Sequence, residues 1–216
     1  RMFVFANWDG LRERRGVPRA GTVPIEAVRR GDLSAYPGTP VDPFTRQPFA
    51  GKQIPASRIH PLAGRVLSLF PPPNLPGLAG NLISQPVFEG DQTQWNTRVD
   101  HRASDRDALT FRYSHGTNRL VEPFAADTAS VPGFGNTVRD RSHNAMAQWQ
   151  RVFSPRVTGT LLAGFNRVER AILQQNASVD VNRLWGVNWL PTRPIDFGYP
   201  TFNIAGFSTM GDATQI

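Results

Sequence analysis

The side chains in this chain that could do chemistry are four histidines, scattered carboxylates and an excess of arginine. His60, His101, His115 and His143 lie far apart, with no close pair at the spacing that clamps a metal, so they read as satisfied surface residues. Asp9, Glu13 and Asp42 could offer oxygens to a calcium ion, but too few of them converge in sequence to define a site. The absence of cysteine removes disulfides, thiolate metal sites and cysteine nucleophiles. No Gly-x-Ser-x-Gly elbow, Walker loop or His-Glu-x-x-His motif is present, so neither catalysis nor a cofactor is expected. "VPGFGN", residues 131 to 136, has the glycines of a phosphate cradle. Without a following helix or a basic partner it reads as a flexible loop tip. "NAS" at 176 to 178 matches a glycosylation acceptor and carries little weight alone.

The net charge of +7 comes almost wholly from arginine, Lys52 being the only lysine. That balance admits nucleic acid, anionic lipid or acidic ligands as partners. The densest cluster, Arg12, Arg14 and Arg15 with Arg19 beyond, lacks the aromatic platforms of a single-strand binder and the motif of a DNA reader. Nucleic-acid binding is therefore not expected.

What positions these residues is a set of alternating runs. Residues 92 to 115, "QTQWNTRVDHRASDRDALTFRYSH", place Gln94, Asn96, Arg98, Asp100 and Arg102 on one side of a strand and Trp95, Thr97, Val99 and His101 on the other. After a turn-rich break at Ser104–Asp107, the second limb sets Leu109, Phe111 and Tyr113 against Thr110, Arg112 and Ser114. The same alternation fits one hairpin of a soluble sandwich. Limbs of about ten residues favour a tilted membrane strand over a globular strand of about five or six.

Composition agrees with a loop-heavy β protein: 39% of the 216 residues are hydrophobic, and there are 19 glycines and 19 prolines. No run of eighteen apolar residues exists, which excludes a transmembrane helix but not a transmembrane barrel, whose strands are short and half apolar. No signal peptide is visible, and Arg1-Met2 enters directly into a strand-like run, so the chain is expected to begin inside a longer protein.

Five strands are predicted, at about 2–11, 92–103, 108–116, 143–153 and 157–169, with long loops at about 12–91, 117–141 and 170–216. The first loop carries two helical islands. One is capped at Thr22 and runs through Pro24 and Glu26 to Arg30; the other opens at Pro61, carries Leu62, Val66 and Leu69, and stops at Pro71. A structureless loop of such length counts against an assignment unless the loop is itself functional. The connections run long, short, long, short, long, so every short turn falls at one end of an antiparallel sheet and every long loop at the other. Outer-membrane barrels keep that discipline, with short periplasmic turns and long extracellular loops.

On this reading the chain is all-β, an antiparallel up-and-down meander forming part of a large transmembrane β-barrel in the outer membrane of a Gram-negative type bacterium. Trp95, Phe111, Tyr113, Trp149, Phe153 and Phe165 would face lipid, while Asn96, Arg98, Asp100, Arg102, Arg112 and Gln148 would face a wet lumen. Those lumenal residues are candidates for contact with whatever the lumen holds, or for a ladder of Arg–Asp pairs across strands. Arg151 shares a face with Trp149 and Phe153 and must snorkel. In an outer loop, Arg12, Arg14, Arg15 and Arg19 could hold lipopolysaccharide phosphates. The alternative from another class is a secreted or surface β-sandwich binding module whose apolar face packs a second sheet.

The segments "FVFANWDGLRERRG", "TVPIEAVRRGDLSA", "VDPFTRQPFAGKQIPASRIHPLAGRVLSLFPPPNLPG" and "QWNTRVDHRASDRDALTFRYSH", in that order, resemble the barrel region of TonB-dependent outer-membrane receptors of the Oar-like type common in Acidobacteria. "FGYPTFNIAGFSTMGDATQ" is similar to a later extracellular loop of the same proteins. The resemblance implies a barrel of about 22 strands enclosing a plug, import of a ligand bound outside the cell, and coupling to the TonB protein through that plug. It does not select the ligand.

Overall fold

Alternation becomes strand wherever both faces of the backbone have a solvent to meet, and here it does so over lengths well beyond the globular norm. The structure is a computed structural model that describes residues 1–124 and 129–212. In chain order its strands are β1 (Met2–Gly16), β2 (Arg19–Gly21), β3 (Leu82–Ser84), β4 (Val87–Arg102), β5 (Asp107–Glu122), β6 (Asn136–Ser154) and β7 (Val157–Gln174). Its α-helices are α1 (Glu26–Arg29), α2 (Pro61–Leu67) and α3 (Val181–Trp185). Two units result: a sheet unit of residues 1–15, 88–122 and 137–173, and a loop unit of residues 16–87, 123–136 and 174–216.

The sheet unit has strand order β1-β4-β5-β6-β7, a meander in which each long strand pairs with its sequence neighbours among the five. The β4–β5 register runs from Glu89↔Val121 to Arg102↔Ala108. At the tip of that hairpin the Ser104 hydroxyl accepts from the Arg106 and Asp107 amides and donates to the Asp107 carboxylate at 2.7 Å. Local side-chain bonding of this kind makes serine and aspartate turn formers. The β6–β7 turn is shorter still, Pro155-Arg156.

Every strand is longer than the sequence pattern suggested. β1 extends to Gly16 rather than residue 11, β4 begins at Val87 rather than 92, and β5 runs to Glu122 rather than 116. β6 begins at Asn136 rather than 143, and β7 runs to Gln174 rather than 169. Apart from Asp107 and Ser154, the added residues lie at the end from which the long loops leave. The physical reason is that alternation signals a strand only while its two faces meet different solvents. Beyond that zone polar and apolar residues, such as Leu120 and Ile172, no longer sort by face, the pattern fades, and backbone pairing continues. Arg12, Arg14 and Arg15 are consequently strand residues, not loop residues; Arg19 opens β2.

The sheet unit has almost no dry core. Of the buried hydrophobic side chains among the described residues, Val138 is the one that belongs to it. Val4, Trp8, Trp95, Leu161 and Phe165 all remain more than half exposed.

The loop unit is built the opposite way. Val23, Phe70 and Leu82 from the first long connection, Val131 and Phe134 from the second, and Met210 from the segment after β7 form one buried cluster. "VPGFGN" is therefore no flexible tip, and no cradle, because its valine and its phenylalanine fill that core. Asn81, fully buried, accepts from the Val23 amide at 2.8 Å and donates to the Val23 and Gly77 carbonyls, satisfying backbone that water cannot reach.

α2 starts as expected, with Pro61 in its first turn, and the His60 ring accepts from the Leu62 amide as its cap. Its last carbonyl, that of Leu67, is met by the Arg29 guanidinium, which also donates to the Phe70 and Pro71 carbonyls of the chain that follows. Thr22 does not cap α1 as expected: Ile25 holds that position, and the Thr22 hydroxyl accepts from the Gly80 amide instead. α3 was not anticipated; it is capped by Asp180 and stopped by Gly186 at φ 67°.

Candidate functional site

The two faces of the sheet can be traced through contacts rather than inferred from spacing. Trp8 and Trp95 lie 6.2 Å apart ring to ring, Tyr113 reaches His143 at 2.8 Å, and the His115 and His143 rings lie 4.5 Å apart. These place even positions of β1 and odd positions of β4, β5 and β6 on one surface. A groove of about 390 Å³ on that surface is lined by Val99, Leu109, Phe111, Ala147, Trp149 and Leu161, among others, which carries the apolar face onto β7. Trp95, Phe111, Tyr113, Trp149, Phe153 and Phe165 all belong to this apolar face by alternation from these anchors.

Arg151 also belongs to it, and its snorkelling position is resolved. Its guanidinium lies 5.9 Å from the Trp149 ring centroid and 5.6 Å from that of Phe153, and it pairs with Asp107 at 3.4 Å. Trp149 donates its indole N–H to the same carboxylate at 3.0 Å. The turn end of the apolar face is thus an aromatic patch closed by a half-buried polar handle.

The opposite face carries the candidates for polar contact. Toward the turns, Arg98 donates to Asp100 through Nε and Nη2 at 2.6 and 3.0 Å, and the Thr110 hydroxyl donates to Asp100 at 2.7 Å. Arg98 stands directly opposite Arg112 in the register, a pairing of like charges that Asp100 offsets. The Arg–Asp pair therefore runs along β4, not across the strands as a ladder would. Arg102 reaches Asp105 only at 3.8 Å. Arg98, Asp100, Arg102, Thr110 and Gln150 line one open trough of about 680 Å³; alternation puts Gln148 on the same face as Gln150.

Toward the loops this face changes chemistry. Asn96 donates to Asn7 at 2.8 Å, and a cleft of about 190 Å³ is lined by Gln92, Gln94, Ser114, Asn118, Asp140, Ser142 and Asn144 with Gly116 between them. A side chain at Gly116 would meet the Ser142 hydroxyl at 2.8 Å, so the glycine keeps the cleft open. Asp140 is held bidentate by Arg170 at 2.7 and 3.0 Å and accepts from Asn118. Asn7, Asn118, Asp140 and Arg170 were missed by sequence reasoning, the last three because they lay in predicted loops or beyond the predicted strand ends. No period marks them: every residue from Asp140 to Asn144 is polar, and Gly116 interrupts the run from Ser114 to Asn118.

The remaining candidates have structural occupations. Asp42 accepts from Arg58 at 2.5 and 2.6 Å and from the Phe44 amide at 2.9 Å, and Glu13 pairs with Arg15. Asn176 of the "NAS" pattern donates to the Gly133 carbonyl and the Asp212 carboxylate. The face geometry offers hydrogen bonding and charge to a polar neighbour.

An antiparallel meander with one exposed apolar face, one polar face and all its long connections at one end is the wall of a membrane β-barrel. The chain matches the family model for the outer membrane beta barrel domain over residues 1–216, and it belongs to that family. It is an outer-membrane protein. No curated protein and no solved structure matches it. The β-sandwich alternative needs a second sheet over Trp95, Leu161 and Phe165; among the described residues those side chains stay exposed.

Proposed function

We propose that this wall belongs to a TonB-dependent receptor of the Oar-like type, which captures a ligand outside the cell and imports it across the outer membrane. The apolar face meets lipid, and Asn96, Arg98, Asp100, Arg102, Arg112 and Gln148 face a lumen shared with a plug supplied elsewhere in the protein. The TonB protein would act on that plug, so energy enters from the inner membrane. Nucleic acid has no part in this reading.

The observation that carries it is the loop unit. Passive pores need connections; a receptor needs a built outer surface, and here three separate loops contribute to one buried core. The resemblance of the ordered segments supplies the receptor class. The test is uptake of labelled siderophores, oligosaccharides and peptides by cells with and without the gene, before and after a protonophore. Gene-dependent uptake that stops when the proton gradient collapses supports the reading. Gene-dependent uptake that continues unchanged makes the protein a passive pore and overturns it.

A further inference from the structure

Above its aromatic rings the apolar face turns basic. Arg12 and Arg14 of β1 reach Thr93 and Asp91, odd positions of β4, and so lie on the surface that carries Trp95. Arg119 pairs with Glu89 and Asp91 on that surface. Arg139 and Arg141 follow His143 at alternate positions of β6, and Arg167 pairs with Glu169 on β7, one residue from Arg170, which points the other way to Asp140. Six arginines against three carboxylates leave three positive charges on one stretch of wall.

The carboxylates are not evenly shared. Glu89 and Asp91 serve Arg12, Arg14 and Arg119, and Glu169 serves Arg167. Arg139 and Arg141 are exposed and have no acidic partner among the described residues. They stand about 7 Å apart on adjacent outward positions of one strand. Arg141 is one outward position beyond His143, whose ring stacks on His115 opposite Trp95. With a strand tilt of about 40°, that step is about 5 Å along the membrane normal beyond the aromatic girdle, which is headgroup depth. The end concerned is the one that carries the long loops, hence the outer leaflet.

We infer that Arg139 and Arg141, flanked by Arg119 and Arg167, form a binding site for the phosphate groups of an anionic glycolipid of the outer leaflet. Arginine forks bind phosphate oxygens in pairs, and these two forks, without an acidic partner among the described residues, stand at headgroup depth. The site rests on the orientation of the wall and not on transport, so lipid retention and ligand uptake can fail independently.

The test uses the full natural protein purified in non-ionic detergent at low salt. The probes are a bisphosphorylated lipid A, the same lipid after phosphatase treatment, and inorganic phosphate. Bound lipid is read by native mass spectrometry and its effect by the shift in Tm. The phosphorylated lipid should be retained and should raise Tm, and R139Q/R141Q should weaken its binding about 30-fold. Arg46→Gln, an exposed loop substitution, should leave binding unchanged. Equal binding of the dephosphorylated lipid, or unaltered binding by R139Q/R141Q, overturns the site; inorganic phosphate binding as tightly as the lipid makes it a free-anion site and overturns it too. Should the double variant not assemble, the wild type in 0.5 M salt decides: retained lipid must be lost there, and retention contradicts a phosphate–arginine site.

Discussion

Leu161 and Thr160 are neighbours on β7 that face opposite ways, and arginine at one should be far more costly than at the other. Leu161 lies four residues into the strand from Val157. At about 3.3 Å per residue and a tilt of about 40°, its depth is about 10 Å, near the middle of an apolar band about 25 Å tall. Arginine there costs about 2–4 kcal/mol, or a factor of about 30 to 700 in the folding equilibrium. Thr160 lines the polar trough beside Thr158 and Gln150, where a new guanidinium stays in water, and Thr160→Arg should cost under about 1 kcal/mol. The assay is reversible folding into lipid vesicles under a urea gradient, followed by the heat-dependent mobility of the folded barrel. A cost for Thr160→Arg equal to or above that for Leu161→Arg would reverse the two faces and refute the orientation on which every functional argument above depends.

Two predictions concern the loop unit. Asn81→Ala leaves the buried Val23 amide and carbonyl without partners and should destabilise this unit by about 1–3 kcal/mol for each orphaned group, seen as faster proteolysis between residues 70 and 85 while the strands stay protected; an unchanged cleavage rate would remove Asn81 from its role. The second is a pH profile with opposed signs. The Phe44 amide and then Arg58 hold the Asp42 carboxyl below its ordinary value, so its contribution is full above the unfolded pKa and is lost as pH falls through the folded one. Burial pushes Asp212 up against hydrogen bonds from Asn176 and the Tyr199 amide, so its contribution is full below the ordinary carboxylate value and is lost as pH rises through the raised one. Near-ultraviolet circular dichroism melts between pH 3 and 8 should show Asp42→Asn flattening the acid limb and Asp212→Asn the neutral limb; profiles parallel to wild type would refute both assignments.

The membrane-depth portion of the fold was legible because it obeys a two-residue period set by two solvents. Trp95, Phe111 and Trp149 announce their face by alternation alone, and the parity of long and short connections orders the strands without any structure. Strand ends were illegible for the same reason: Asp140 and Arg170 sit where both faces are wet, so nothing in their neighbours' polarity distinguishes strand from loop. The loop core was illegible on other grounds. Val23, Val131 and Met210 are far apart in the chain, and no local period marks residues whose burial depends on partners in other loops. Thr22 shows the remaining failure: it has the right type and spacing for a cap, but Gly80, 58 residues away, claims its hydroxyl.

β7 has 18 residues, a span of about 60 Å along the strand and about 45 Å along the membrane normal, whereas the bilayer needs about 25 Å of apolar wall. The excess is a parapet. Beyond headgroup depth its rungs are fixed by backbone pairing and tolerate almost any polar sequence, so the insertion machinery and the lipid never see what the loops carry. Recognition can then diversify by exchange of whole loop sets onto a constant palisade. Chimeras joined within the parapet should assemble where joints cut at the bilayer surface would not.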